Sequence, residues 1–134
     1  MKHADSFRDL DVYKLACELQ REIFLLTKKF PKEEMYSLTD QIRRSSRSIG
    51  AQIAEAWAKR RYEKHFISKL TDADGEQQET QHWIETSVHC DYLSKDVSDA
   101  LLKRYSSVGK MLQSMINKSH LFCFEKQTPI TDNR

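Results

Sequence analysis

Proline and glycine are nearly missing from this chain, and their scarcity decides most of its architecture. Pro31 is the only proline before residue 129, and Gly50, Gly75 and Gly109 each fall inside a helical pattern instead of between patterns. No stretch alternates apolar and polar residues with period two, so no strand is expected. Apolar residues recur at three-and-four spacing, the stripe of an amphipathic helix. A glycine inside a helix costs about 1 kcal/mol relative to alanine, so each of the three is a candidate for close approach of another backbone.

The spacing predicts four helices. The first covers about Asp11 to Lys29, with Val12, Ala16, Leu19, Ile23 and Leu26 on one face; Leu15 and Leu25 widen it. Asp9 or Asp11 caps its start, Lys28 and Lys29 suit its negative end, and Phe30-Pro31 stops it. The second, from Tyr36 to Arg61, is capped by Ser37 or Thr39 and carries the stripe Leu38, Ile42, Ser45, Ile49, Ile53, Ala56 and Trp57. The third runs from about Tyr62 to Tyr92 through Phe66, Leu70, Ala73, Gln77, Thr80, Ile84 and Val88. Its stripe turns polar between Gln77 and Gln81, which fits a helix partly facing a channel or a neighbouring subunit. The fourth starts near Ser94 or Asp96 and buries Val97, Leu101, Tyr105, Val108, Leu112 and Met115, fading after Lys118. Short connections make this an all-α, up-down-up-down four-helix bundle. Residues 1–8 are then an N-terminal extension, 9–118 the bundle, and 119–134 a loosely ordered tail despite Phe122 and Phe124.

At 134 residues, 39% of them hydrophobic and 31% charged, the chain makes one globular domain. No apolar run approaches the roughly 18 residues a membrane span needs. The N-terminus lacks the apolar centre of a signal peptide, so a cytoplasmic location is expected. Cys17, Cys90 and Cys123 are odd in number and widely spaced, which argues against both a zinc knuckle and a disulfide framework. Cys17 and Cys90 read as buried or half-buried small hydrophobes.

The net charge of +2 conceals a strong segregation. Residues 40–69 carry eight Lys/Arg against three Asp/Glu, whereas 70–99 carry one against eight. Arg43 and Arg47 are neighbours on the second helix, with Arg44 beside them. Opposite charge on the adjacent helix favours pairing with Asp72, Asp74, Glu76 and Glu79, within one bundle or between copies. The candidate subunit interface is therefore Arg43, Arg47, Gly50, Asp72, Asp74, Glu76, Gln77 and Gln81. Lys59, Arg60, Arg61 and Lys64 crowd the following corner with Tyr62, His65 and Phe66 nearby. Cations interleaved with aromatics suit phosphates and bases, so these four are the candidate RNA or DNA contacts.

No constellation supports an enzyme. Glu79 and His82 form a single ExxH, but the di-iron pattern needs two. His82, Glu85 and His89 share a face, enough for adventitious metal binding and short of a functional site. Ser45, Ser46 and Ser48 have no nucleophile elbow, and there is no phosphate-binding glycine loop. No catalytic residue, metal, cofactor or small-molecule substrate is expected.

The string QIRRSSRSIGAQIAEA, Gln41 to Ala56, resembles the "QIRRAxxSIxxNIAEG" of the bacterial four-helix bundle proteins also called 23S rRNA-intervening-sequence proteins. Asp9 to Ala16 (DLDVYKLA) is similar to that family's start, and Leu70 to Glu79 (LTDADGEQQE) to its "LxxAxGSxxE". The match spans about residues 9–118. Gln52, Ala56 and Glu76 depart from the family's usual Asn, Gly and Ser. The resemblance implies a four-helix bundle that assembles as a homopentameric ring, of unknown biochemical role. A related pentameric bundle serves reverse transcriptases as a nucleic-acid-binding accessory, which gives the resemblance a second implication.

Overall fold

The computed structural model describes residues 4–124, and among these there are four α-helices and no strand. They are α1 (Asp11–Thr27), α2 (Leu38–Ala58), α3 (Glu63–His89) and α4 (Lys95–Asn117), with single 3-10 turns at Phe7–Asp9, Lys32–Glu34 and Ser119–Leu121. No described helix is long and apolar enough to cross a membrane.

Cross-helix contacts fix the topology. Thr80 meets Ser45, Glu76 meets Ser48, and Lys69 meets Gln52 and Glu55, so α3 runs backwards along α2. Thr27 lies against Arg43, and Tyr13 against Gly50, which makes α1 and α2 antiparallel. Gln77 faces Gly109 while Glu63 meets Ser119, so α4 descends along α3. Arg104 of α4 closes the circuit onto Glu18 and Glu22 of α1. This is the up-down-up-down bundle.

The stripes read from the sequence form the core. Ala16, Leu19, Ile42, Ile49, Ile53, Phe66, Leu70, Ala73, Ile84, Tyr105, Val108 and Leu112 are all fully buried. Their burial removes a continuous apolar seam from water, the dominant favourable term for such a bundle. Two residues of the polar break in α3 stay buried. Gln77 is 4% exposed and Thr80 fully buried, with Thr80 and Ser45 sharing a hydrogen bond of 2.8 Å.

Helix ends are secured locally. Ser94 Oγ accepts from Val97 N at 3.2 Å and caps α4. Neither Asp9 nor Asp11 caps α1; Asp9 instead accepts from the amides of Asp5 and Ser6 in the preceding turn. At α2, Ser37 stands at the cap position without a side-chain bond, and Glu34 Oε1 accepts from Leu38 N at 3.3 Å. α3 ends in a Schellman turn: Asp91 has φ 63°, Tyr92 N donates to Ser87 O at 2.8 Å and Asp91 N to Val88 O at 2.9 Å.

Three further expectations meet a different outcome. Cys90 is exposed at the end of α3, because its helix terminates there and nothing covers it. Val97 lies exposed on the α1/α4 groove instead of in the core. Residues 119–124, placed in the tail by the fading of the α4 stripe, dock on the bundle. Ser119 is buried and bonded to Glu63, Phe122 stacks on Phe66 at 5.9 Å, and Phe124 N donates to Arg60 O at 3.2 Å. The rest of the tail and residues 1–3 lie outside the described residues.

Candidate functional site

Phe24 of α1 is the centre of a cationic cluster that the sequence did not disclose. Lys28 follows it by one turn, so its Nζ sits 4.9 Å from the ring centroid. From α2, Arg43 and Arg47, also one turn apart, bring their guanidinium carbons to 4.8 and 5.6 Å of the same ring. Cations over an aromatic face are held by its quadrupole. Arg43 Nε also donates to Thr27 Oγ1 at 2.8 Å, and that buried hydroxyl donates to Ile23 O at 2.8 Å. Arg43 is thereby fixed in place. Among the described residues none of the three cations joins an ion pair.

The expected pairing of Arg43 and Arg47 with the acidic third helix is therefore not made within the chain. Their flank of α2 faces α1, while Ser48 and Gln52, on the other flank, face α3. The acidic residues have other partners. Asp72 is 4.0 Å from Lys69, Asp74 accepts from Gln77 and Gln78, Glu76 from Ser48, and Glu79 from Trp83 Nε1. The eight interface candidates are thus spread over several faces. Arg43, Arg47 and Gly50 lie on the α1/α2 side; Glu76 lies at the α2/α3 seam; Asp74, Gln77 and Gln81 lie in the α3/α4 groove; Asp72 is exposed on α3.

The α3/α4 groove is polar and has a volume of about 540 Å³. Gln81 Nε2 donates to Gln77 Oε1 at 2.7 Å, and Gln77 Nε2 to Asp74 Oδ1 at 2.9 Å, an ordered amide relay along its floor. Gly109 makes room for it, since a Cβ there would stand 2.8 Å from Gln77 Nε2. His82, Glu85 and Lys110 line the walls. Gly75 differs: a Cβ on it would meet nothing within 4 Å, so no contact inside this chain calls for glycine.

At the α2–α3 corner the four basic candidates divide. Arg60 is committed to structure. Its Nε donates to Trp57 O at 2.9 Å, and its guanidinium lies 3.7 Å from the Trp57 ring and 4.9 Å from that of Phe124. Burial lowers its pKa from the ordinary value, with the nearby Cys123 acting the opposite way. Lys59, Arg61 and Lys64 are exposed and enter no ion pair among the described residues. Phe66, read as a neighbour of this patch, is fully buried. The aromatics at the surface are Tyr62, which packs on His65 at 5.3 Å, and Phe124.

No group of three or more His, Cys, Asp or Glu is placed to hold a metal among the described residues. His82 turns its ring against Trp83 at 4.7 Å. The cysteines are free, and burial raises the thiol pKa of Cys123.

Phe24, Thr27, Lys28 and Phe124 are the site residues missed from sequence. A signal existed for two of them: Phe24 and Lys28 repeat the i, i+4 spacing of Arg43 and Arg47 on the flank of the adjoining helix.

A family model described as 23S rRNA-intervening sequence protein matches residues 8–114. A crystal structure from Bacteroides thetaiotaomicron VPI-5482, described as a protein with unknown function from the S23 ribosomal protein family, is similar at 30% identity with a TM-score of 0.72. The similarity covers 79% of this chain and 95% of that one. No curated protein matches the chain.

Proposed function

Since this chain belongs to the 23S rRNA-intervening sequence protein family, we propose that it is a non-catalytic cytoplasmic subunit that assembles with copies of itself into a closed ring of five. The observation that carries the reading is the cluster of Lys28, Arg43 and Arg47 around Phe24. Three like charges gathered on one ring repel one another, and no carboxylate of the described chain relieves them. The acidic residues of α3 on a second copy are the matching charge. A contact between two different faces of the same subunit is head-to-tail, the kind that closes into a ring or runs on as a filament. Ring size comes from the family resemblance. Gly75 supports the same reading, because an outward glycine in mid-helix costs about 1 kcal/mol relative to alanine and gains a role if another backbone approaches it.

Size-exclusion chromatography with light scattering is expected to give the mass of five chains. A monomer at every concentration overturns the proposal. Replacing Arg43 and Arg47 together by Glu lowers the mass if the cluster lies in the interface, and Gly75→Ala weakens assembly while leaving the helix content intact. An unchanged mass in both variants moves the interface elsewhere.

A second reading, binding of RNA or DNA, is favoured by a separate observation: Lys59, Arg61 and Lys64 stand exposed at one end of the bundle and enter no ion pair among the described residues. It is compatible with the first, since a ring presents that corner repeatedly and gains avidity.

A further inference from the structure

We infer that the α2–α3 corner is a platform for single-stranded nucleic acid, with Lys59, Arg61 and Lys64 on phosphates and Tyr62 and Phe124 stacking on bases. The inference rests on the nucleic-acid reading above and specifies its ligand. A basic patch alone does not distinguish a nucleic acid from an acidic protein. The aromatic rings do. Tyr62 is 58% exposed and Phe124 59%, large apolar surfaces left open beside the exposed cations. An acidic peptide requires only the charges, whereas a base offers a flat face to each ring.

The rings are held in position. Phe124 is the outer member of a stack with Arg60 and Trp57, and its amide is bonded to Arg60 O at 3.2 Å. Phe122 on Phe66 and the hydroxyl of Ser119 on Glu63 anchor the segment that carries it. Among the described residues Glu63 is the acidic one within the corner itself, and that bond occupies one of its oxygens. On the other side Tyr62 rests against His65, and its backbone N donates to Lys59 O at 3.1 Å, closing the turn between the helices. Arg60 is therefore a positioning residue and not a phosphate contact.

Duplex bases are already stacked on one another and cannot lie on a protein ring without being extruded, so stacking selects unpaired strands. Three phosphate contacts on a single strand give a salt dependence with a slope of about −2 in log K against log salt, from roughly 0.7 per phosphate. Each aromatic stack is worth about tenfold in affinity.

The test is fluorescence anisotropy on the full chain with a labelled, unstructured RNA strand, the DNA strand of the same sequence, the corresponding duplexes and polyglutamate, from about 50 to 200 mM salt. Either single strand is expected to bind at least about tenfold more tightly than its duplex. Tyr62→Ala and Phe124→Ala each lose about tenfold on single strands with the salt slope unchanged. The triple variant K59A/R61A/K64A flattens the slope by about 2. Circular dichroism checks that Phe124→Ala is folded, and Tyr62→Ala tests stacking independently.

No binding by any nucleic acid overturns the reading and the inference together. Equal affinity for strand and duplex, or indifference to both aromatic variants, overturns the inference and leaves a plain polyanion surface. Polyglutamate bound as tightly as a single strand assigns the corner to an acidic protein. Binding that survives the triple lysine and arginine replacement places the ligand elsewhere, with the Phe24 cluster as its next address.

Discussion

Along the α2/α3 seam a pair of hydroxyls is buried inside the bundle, whereas the ion pairs of the α1/α4 seam lie at its rim. Ser45 and Thr80 are buried and satisfy one another, and Thr80 Oγ1 is also 2.8 Å from Glu76 O. Across the bundle, Arg104 reaches Glu18 and Glu22 over a groove of about 400 Å³ lined by Leu25, Leu26, Val97, Ala100 and Leu101. The first arrangement uses hydrogen bonds where water is excluded, so losing one leaves a partner stranded. The second uses charges that water reaches on both sides, so losing one is largely made good by solvent. One seam is therefore brittle and specific, the other compliant.

That contrast can be broken by measurement, most forcefully at the corner end of the tight seam. Phe66→Ala removes a fully buried ring and the seat of Phe122, and is expected to cost about 3–5 kcal/mol in urea unfolding. A loss below about 1 kcal/mol is what an ordinary surface change gives and would contradict the packing described. Thr80→Val keeps the shape and removes the hydroxyl, leaving Ser45 without that partner; the expected loss is about 1–2 kcal/mol. Arg104→Met is expected to cost at most about 1 kcal/mol, since the side chain is 32% exposed and its partners 64% and 40%. If Arg104→Met proved the costlier of the two, the ranking of the seams would be reversed. Native-state hydrogen exchange gives the same comparison without mutation, with amides of α1 and α4 exchanging ahead of those along α2 and α3.

The smallest effect concerns the staple between the two turns at the other end of the bundle. Tyr92 OH donates to Glu34 Oε2 at 2.9 Å, and this bond pushes the phenol pKa up to about 12 from an ordinary 10.0. A raised pKa means that folding favours the protonated phenol. The contribution is complete below pH 10 and is lost as the pH climbs towards 12. Tyr105, whose phenol is also raised, by burial beside Glu22, adds to the alkaline loss. Melting temperature followed from neutral to alkaline pH should fall in that window, and Tyr92→Phe should remove part of the fall. An identical profile in the variant would deny the staple.

The bundle itself was legible because its helices state their inner faces plainly. Leu38, Ile42, Ser45, Ile49, Ile53 and Ala56 are buried as their spacing predicts, and so are Phe66, Leu70, Ala73, Gln77, Thr80 and Ile84. What a helical stripe cannot disclose is which neighbour stands on each flank. The arginines of α2 occupy a flank, and charge alone favoured α3 over α1; only the order of helices around the bundle puts Phe24 beneath them. Docking of Ser119–Phe124 was hidden for another reason. A short segment without helical period carries no face, and its hold comes from Phe66, Glu63 and Arg60, more than fifty residues earlier in the chain. The basic corner was visible in composition, but the commitment of Arg60 to Trp57 was not, because nothing in sequence tells a stacked guanidinium from a free one.

Arg104 also sets the order in which the molecule can be completed. Its partners Glu18 and Glu22 lie 86 and 82 residues towards the N-terminus, the longest separations among the helix-to-helix hydrogen bonds of the described residues. On a growing polypeptide, α2 and α3 can pair as a hairpin while α4 is still unmade, and α1 can settle against them. The clasp onto α1 waits until most of the chain has emerged. It is a latch that cannot shut before α4 is made, and a chain cut before Lys95 lacks both the latch and the helix that packs against α1 and α3.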